Sequence, residues 1–245
     1  MNVAVNTAVF LKDLQAGVPQ IDCLRQLQQL ALPIPAVEVR GEFFDPQQQV
    51  SELAQIAQLC HQENWELYYS VPEALFSSQG VAASLAKNLQ LAQQYQIRSL
   101  KYSFGSLPNL TQQDFATLTD QINQSGVQVT IENQPNAHGT LRQMQQDLAW
   151  IRHNQLPLGY TFDAGNWYWV AEHPEVSFGQ LQDQVTVFHL KDIKHQDTVL
   201  LDQGCTDWRP LLAQLPETVP VFLEYAVAKD QLAAQLQLAN AALSR

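Results

Sequence analysis

The chain of 245 residues is 46% hydrophobic, enough for one sizeable core. Its 24 Asp and Glu against 13 Lys and Arg leave a formal charge of −11 and a pI near 4.8. That balance disfavours any partner presenting phosphodiester backbone or anionic lipid over a wide surface, so neither nucleic acid nor membrane is expected as a partner.

From the N-terminus onward, short β-branched or aromatic runs alternate with Leu/Ala/Gln-rich stretches of helical period, the pattern of repeated βα units. The order predicted is strand 2–10, helix 21–31, strand 36–40, helix 46–64, strand 66–71, helix 81–95, strand 98–104 and helix 110–124. It continues with strand 127–132, helix 140–154, strand 158–163, a shorter helix near 166–173, strand 185–190, helix 206–215, strand 219–224 and helix 230–244. Apolar residues recur at i, i+3, i+4 and i+7 in the helices, so each buries one stripe against the sheet. Eight such units with right-handed crossovers close most simply into a single α/β barrel, a (β/α)8 barrel over residues 1–245, with no linker or composition break to mark a second domain. An open doubly wound sheet would carry a Gly-rich turn after its first strand, which VFLKDLQAGV does not supply.

Cys23, Cys60 and Cys205 are odd in number and lack CxxC spacing, so they read as incidental thiols of a reducing compartment. MNVAVNTAVF carries no basic leader, and no run reaches the ~20 apolar residues of a membrane span. A cytoplasmic location is expected.

Four of the predicted strands end on a metal-competent side chain: Glu132 after VQVTI, Asp163 after LGYTF, His189 after VTVF and Glu224 after VPVFL. Any one of these could merely end its strand, and Asp163 before Ala-Gly-Asn suits a turn or helix cap. Repetition at the same end of four neighbouring strands is harder to explain by packing. Ionised carboxylates at the rim of a core are costly unless paired or bound to a cation. Three of them with one imidazole suit one divalent ion, with oxygen ligation favouring Mn or Mg and the imidazole admitting Co or Zn.

The IENQ, TFDAGNW, FHLKD, QGCTDWRPLLAQL and FLEY segments, with the βα spacing of the whole chain, resemble the xylose-isomerase-like TIM-barrel family. That family includes sugar isomerases, ketose 3-epimerases, hydroxypyruvate isomerases, inositol-pathway dehydratases and, more distantly, endonuclease IV. TFDAGNW also resembles the group associated with 2-ketogluconate utilisation. The resemblance implies that Glu132, Asp163, His189 and Glu224 are metal ligands, and that Glu132 and Glu224 double as an acid/base pair on opposite faces of a bound ketose. The implied reaction is isomerisation or epimerisation of a small keto sugar or sugar acid by proton transfer through a metal-stabilised enediolate.

The chain departs from the family where many members have a second Glu, a His and an Arg: here stand His138, Asn166 and His195. All three can still hydrogen-bond sugar hydroxyls, so they join the expected substrate-binding set. Glu38 and Arg40 at the end of the second strand, Lys101 in the fourth and Lys191 after His189 complete its charged members. Cations there could hold a substrate carboxylate or phosphate, or pair within the barrel. Trp167, with Trp169 and Tyr225, is placed to stack on a sugar ring or to pack. Trp65, Trp150 and Trp208 are assigned to packing, and His61, His153 and His173 to the outside of the mouth. The absence of a Gly-rich cradle after the last strands favours an unphosphorylated substrate.

Three other functions compete. A dehydratase on the same scaffold would expel a β-hydroxyl from the same enediolate. An AP-site endonuclease would need more strand-end histidines and a basic face. A non-catalytic sugar-binding barrel would not need a complete ligand set. Oligomerisation stays open, with a homo-oligomer compatible with the sequence.

Overall fold

A computed structural model describes residues 2–244. Eight parallel strands form a closed ring: β1 (Ala4–Asn6), β2 (Ala36–Arg40), β3 (Glu66–Ser77), β5 (Ile97–Gly105), β6 (Gln128–Glu132), β7 (Leu158–Asp163), β8 (Val185–Leu190) and β11 (Val221–Leu223). The β1–β2, β2–β3 and β1–β11 pairings close it. Helices α1 (Leu11–Gln15), α2 (Gln20–Gln29), α3 (Gln49–Glu63), α4 (Leu85–Gln94), α5 (Gln112–Ser125), α6 (Leu141–His153), α7 (Pro174–Leu181), α8 (Trp208–Gln214) and α9 (Lys229–Leu243) connect the strands. The expected (β/α)8 TIM barrel is the fold.

Strand alternation explains why the functional residues share one phase. Val129 and Ile131, Tyr160 and Phe162, Phe188 and Leu190, and Val221 and Leu223 belong to the large core between sheet and helices. Their neighbours in the opposite phase are Thr130 and Glu132, Thr161 and Asp163, Val187 and His189, and Phe222 and Glu224. Inside the ring, Ala4, Ala36, Tyr68, Val187 and Phe222 form a separate apolar plug. Thr130 and Thr161 hydrogen-bond one another at 2.8 Å. Two residues further along each strand, at the C-terminal ends, the inward phase becomes ionisable.

Several boundaries differ from the sequence reading. The first strand was expected over 2–10 but ends at Asn6, whose Oδ1 accepts the Ala8 N–H at 2.8 Å and starts a 3-10 helix over Thr7–Phe10. Those four residues are buried, so an apolar run that reads as strand is a helical turn packed under the sheet. The helix expected near 166–173 is a 3-10 turn, Asn166–Val170, stopped by Ala171 at φ 58°. A separate helix, α7, follows with Pro174 in its first turn, the position at which proline's missing N–H costs nothing. β3 runs on past Val71 through Pro72, tolerated because the register shifts between Ser70 and Ala74, and folds back as β4 (Gly80–Val81). After β8 a two-stranded hairpin, β9 (Asp192–Lys194) with β10 (Asp197–Val199), was also unexpected.

Trp65 and Trp208 are buried, and Trp150 packs edge-on against Phe76 and Phe104. Burial pushes the Cys23 and Cys60 thiols up to about 12, which keeps them unreactive, while Cys205 is exposed. Among the described residues no helix is long and apolar enough to cross a membrane.

Candidate metal centre and active site

Each of the four strand-end residues is delivered by its own ladder. Asp163 lies directly opposite His189 in the β7–β8 pairing, and His189 opposite Phe222 in β8–β11, two residues before Glu224. All four are buried, and one donor atom from each lies within 4.8 Å of the others. Among the described residues this is the one cluster with that geometry.

Asp163 combines the two roles its sequence context offered. Its Oδ1 accepts the Gly165 and Asn166 N–H groups at 2.8 and 2.9 Å, which forms the turn. Its Oδ2 is left facing the cluster. Asn133, the third residue of IENQ, fixes the backbone there: its Oδ1 accepts the Asp163 N–H at 2.8 Å and its Nδ2 donates to the Asp163 carbonyl at 3.0 Å. His189 Nδ1 lies 2.7 Å from Glu224, 3.1 Å from Glu132 and 3.9 Å from Asp163. Asp163 Oδ2, both ring nitrogens of His189 and Glu224 Oε2 are buried, yet none makes a hydrogen bond with acceptable angles. Their close contacts are ion pairs without hydrogen-bond geometry, and Asp163 Oδ2, His189 Nδ1 and Glu224 Oε2 converge on one point where a divalent cation would meet all three. The donor set, three carboxylates and an imidazole, suits a divalent ion.

Charge in the cluster is nearly balanced from within. Burial would raise Glu132, but Lys101 Nζ at 2.8 Å and His189 overcome it and hold the carboxyl at about 2. Glu224 likewise falls well below its ordinary value, burial being outweighed by His189, Lys191 and Lys101. Asp163 goes the other way, to about 6, because burial outweighs Lys191 and the neighbouring carboxylates add to it. Burial alone would depress His189, but Glu224 and Glu38 lift it well above its ordinary value, so without an ion the imidazole is a cation.

No sequence-family model matches the chain, and no curated protein sequence aligns with it significantly. Solved structures do match. A xylose isomerase domain containing protein from Salmonella typhimurium LT2 superposes with TM-score 0.69 at 14% identity, covering 100% of this chain and 97% of that one. A D-tagatose 3-epimerase-like protein gives 0.68 at 15%, covering 99% and 97%. A probable 3-DHS dehydratase involved in petrobactin synthesis from Bacillus anthracis gives 0.66 at 16%, covering 98% of both. The fold is that of the xylose-isomerase-like TIM barrels. At these identities the likeness shows the architecture, and the chemistry of this particular barrel rests on its own side chains.

Of the eight residues expected to bind substrate, the structure brings four to the cluster. Arg40 donates to Glu224 Oε1 at 2.8 Å and to Glu42 at 2.8 Å, and Lys101 holds Glu132. Lys191 Nζ lies 2.6 Å from Asp163 Oδ2 and 3.0 Å from Glu224 Oε2. Glu38 is 2% exposed and sits behind His189, away from the mouth. The other four are elsewhere. Trp167 is fully buried against Phe162, so it packs rather than stacks on a sugar; Tyr225 is buried too, its hydroxyl donating to Gln235 at 2.6 Å. Asn166 spends its amide on the Asn133 carbonyl at 2.9 Å, locking one strand-end loop to the next. His138 is exposed on the short turn before α6. His195 is exposed at the tip of the β9–β10 hairpin with φ 53°, followed by Gln196 at φ 59°, a pair of left-handed residues that makes it a turn residue. His61, His153 and His173 are exposed, as expected.

Sequence reasoning missed Asn6 and Asn133, since a polar residue at a strand end has no distinguishing local pattern. Asp192 accepts the Ile193, Gly204 and Thr206 N–H groups, which ties the FHLKD and QGCT segments together. A glycine also matters here. A Cβ on Gly165 would come 2.8 Å from Lys191 Cδ, so glycine keeps open the path by which Lys191 reaches Asp163.

Lys191 contacts two of the oxygens that an ion would need. Binding a divalent cation therefore requires this ammonium to withdraw. Lys191→Met is expected to tighten Co²⁺ binding by on the order of tenfold, as the cation it removes is a competitor in a desolvated site. It should also lower the melting temperature of the metal-free protein. Calorimetric titration showing weaker binding by the variant would make Lys191 a support of the ion instead.

Proposed function

We propose that the chain is a divalent-metal-dependent isomerase or epimerase of a small keto sugar or sugar acid, in which Glu132 and Glu224 exchange a carbon-bound proton. The observation that carries this reading is a cavity of ≈ 300 Å³ that reaches the cluster at Glu132, with Arg40 and Lys101 in its wall beside Ser70, Ser103 and Gln134. Its size suits a small molecule. Its lining suits one with several hydroxyls and a developing negative charge.

An ion held by Glu132, Asp163, His189 and Glu224 would polarise a substrate carbonyl and its adjacent hydroxyl, acidifying the C–H between them. Glu132 is ionised at neutral pH and so is ready to accept a proton. At about 2 it is also a weak base, which limits proton transfer until something raises it. Lys101 and Arg40 supply that adjustment in this reading. Each is bound to one catalytic glutamate and each faces the cavity, so charge developing on the substrate draws them away and leaves the glutamates more basic. Glu132 ends β6 and Glu224 follows β11, with β7 and β8 between them, so they approach a bound molecule from different sides. A proton given by the other glutamate to the opposite face of the same carbon yields an epimer, while return by the first group to the former carbonyl carbon moves the carbonyl, yielding an aldose where the proton was taken from C1.

A sugar-acid dehydratase is the second reading, favoured by the two cations in the cavity wall and by the dehydratase among the structural neighbours. Product analysis by NMR across keto sugars and sugar acids separates the two. An epimer or aldose supports the first, a dehydrated keto acid the second, and no conversion with any divalent ion would sink both.

An AP endonuclease family 2 protein from Brucella melitensis shares the fold at 15% identity and TM-score 0.67. This chain brings a single histidine to its cluster and carries a charge of −11. Binding to abasic or intact duplex DNA at physiological salt is expected to be undetectable below micromolar concentration. Tight salt-dependent binding with nicking at abasic sites would overturn the sugar reading.

A further inference from the structure

We propose that Glu38 and Asn6 form a buttress behind the cluster, in which Glu38 fixes the imidazole of His189 so that Nδ1 faces the divalent ion. Glu38 is then a positioning residue and not a substrate ligand. The inference rests on the reading of Glu132, Asp163, His189 and Glu224 as an ion site.

Glu38 Oε2 lies 2.9 Å from His189 Nε2, on the side of the ring opposite Glu132 and Glu224. It does not line the cavity. Its position is itself determined by the ladder: Asn6 of β1 pairs directly with Glu38 of β2, so the two side chains project inward side by side. Asn6 Nδ2 donates to Glu38 Oε2 at 2.7 Å and to Glu224 Oε1 at 3.2 Å. The amide cannot turn over without loss, because its Oδ1 accepts the Ala8 N–H at 2.8 Å and every one of these groups is buried.

The consequences reach both ends of the cluster. At His189, the Glu38 carboxylate 2.9 Å from Nε2, a charge contact whose angles fall short of a hydrogen bond, favours the tautomer that carries its proton there and leaves the Nδ1 lone pair for an ion. At Glu224, Asn6 and Arg40 both bind Oε1, so Oε2 is the oxygen left to face inward. A 3-10 turn begins immediately after Asn6, which explains why the first strand stops where it does: the residue that ends it also supports two members of the site.

Loss of a carboxylate behind a ligating histidine typically weakens metal binding about 10- to 100-fold. Co²⁺ titrations of the full chain, wild type against Glu38→Leu and Glu38→Gln, test the proposal. They are read together with the ¹⁵N–¹H signals of His189 in Zn²⁺-loaded protein. The expected result is a wild-type Nε2–H signal slow to exchange with solvent. Glu38→Leu should weaken Co²⁺ about 10- to 100-fold and lose that protection. The isosteric Glu38→Gln keeps an acceptor, so it should retain the Nε2–H signal with a smaller, several-fold loss of affinity. If Glu38→Leu does not fold, Glu38→Gln alone decides, and unchanged Co²⁺ affinity overturns the proposal. Wild-type protein that binds no Co²⁺ overturns the ion site itself; Co²⁺ affinity in the Glu38 variants equal to that of the wild type overturns only the buttress.

Discussion

Glu132→Gln and Glu224→Gln are each expected to slow solvent exchange of a substrate's α-hydrogen by about 10²- to 10⁴-fold, the range for loss of a general base. Glutamine keeps an oxygen in each position, so some ion binding should survive while the proton acceptor is gone. The two variants should differ in detail. At Glu132 the change also releases Lys101 from its 2.8 Å partner, leaving a buried ammonium without its nearest counter-charge. At Glu224 it weakens Arg40, Lys191 and His189 together, so the stability of the metal-free protein should suffer more there. Substrate affinity measured by calorimetry should change little in comparison with turnover. Wild-type exchange by both ion-loaded variants would reduce the two glutamates to structural ligands.

Asp163→Ala and His189→Ala are expected to lose divalent-ion binding by more than the roughly 10- to 100-fold attributable to outer groups, because each removes an inward donor. Affinity in the wild-type protein should also depend steeply on pH. His189 is held well above its ordinary value and Asp163 is raised to about 6, so both carry protons that an ion must displace as pH falls. The dissociation constant should therefore rise by about tenfold per pH unit through the neutral range, where His189 alone is protonated. Below about pH 6 it should rise more steeply as Asp163 joins. Ion affinity that is flat from pH 5 to pH 8, or unchanged in both alanine variants, would remove the four-residue cluster from the account. Metal analysis after dialysis and titration at each pH read this directly.

The barrel was legible because period-2 alternation marks each strand and the strand-end chemistry falls in its opposite, inward phase. Val129, Ile131 and Glu132 illustrate it: the apolar residues mark the strand and the next position inward marks the site. Asp163, His189 and Glu224 followed by the same logic. The substrate-binding residues were much less legible, since position near a strand end does not state which way a side chain turns. Trp167 and Asn166 stand beside the mouth in sequence, yet one is consumed by the core and the other by the Asn133 carbonyl. His195 belongs to a hairpin whose strands are only three residues each, too short to leave a periodic signal. Asn6 was hidden for a related reason, being read as one polar residue in the middle of a longer strand.

The most direct measurement compares metal-free protein with protein loaded with Mn²⁺ or Co²⁺ in D₂O, following loss of the α-hydrogen signal of keto sugars and sugar acids by ¹H NMR. The site geometry predicts exchange of at least one substrate in the loaded protein, none above background in the metal-free protein, and recovery on adding the ion back. Equal exchange with and without the ion, or none in either state across the panel, would contradict a metal-dependent proton transfer between Glu132 and Glu224.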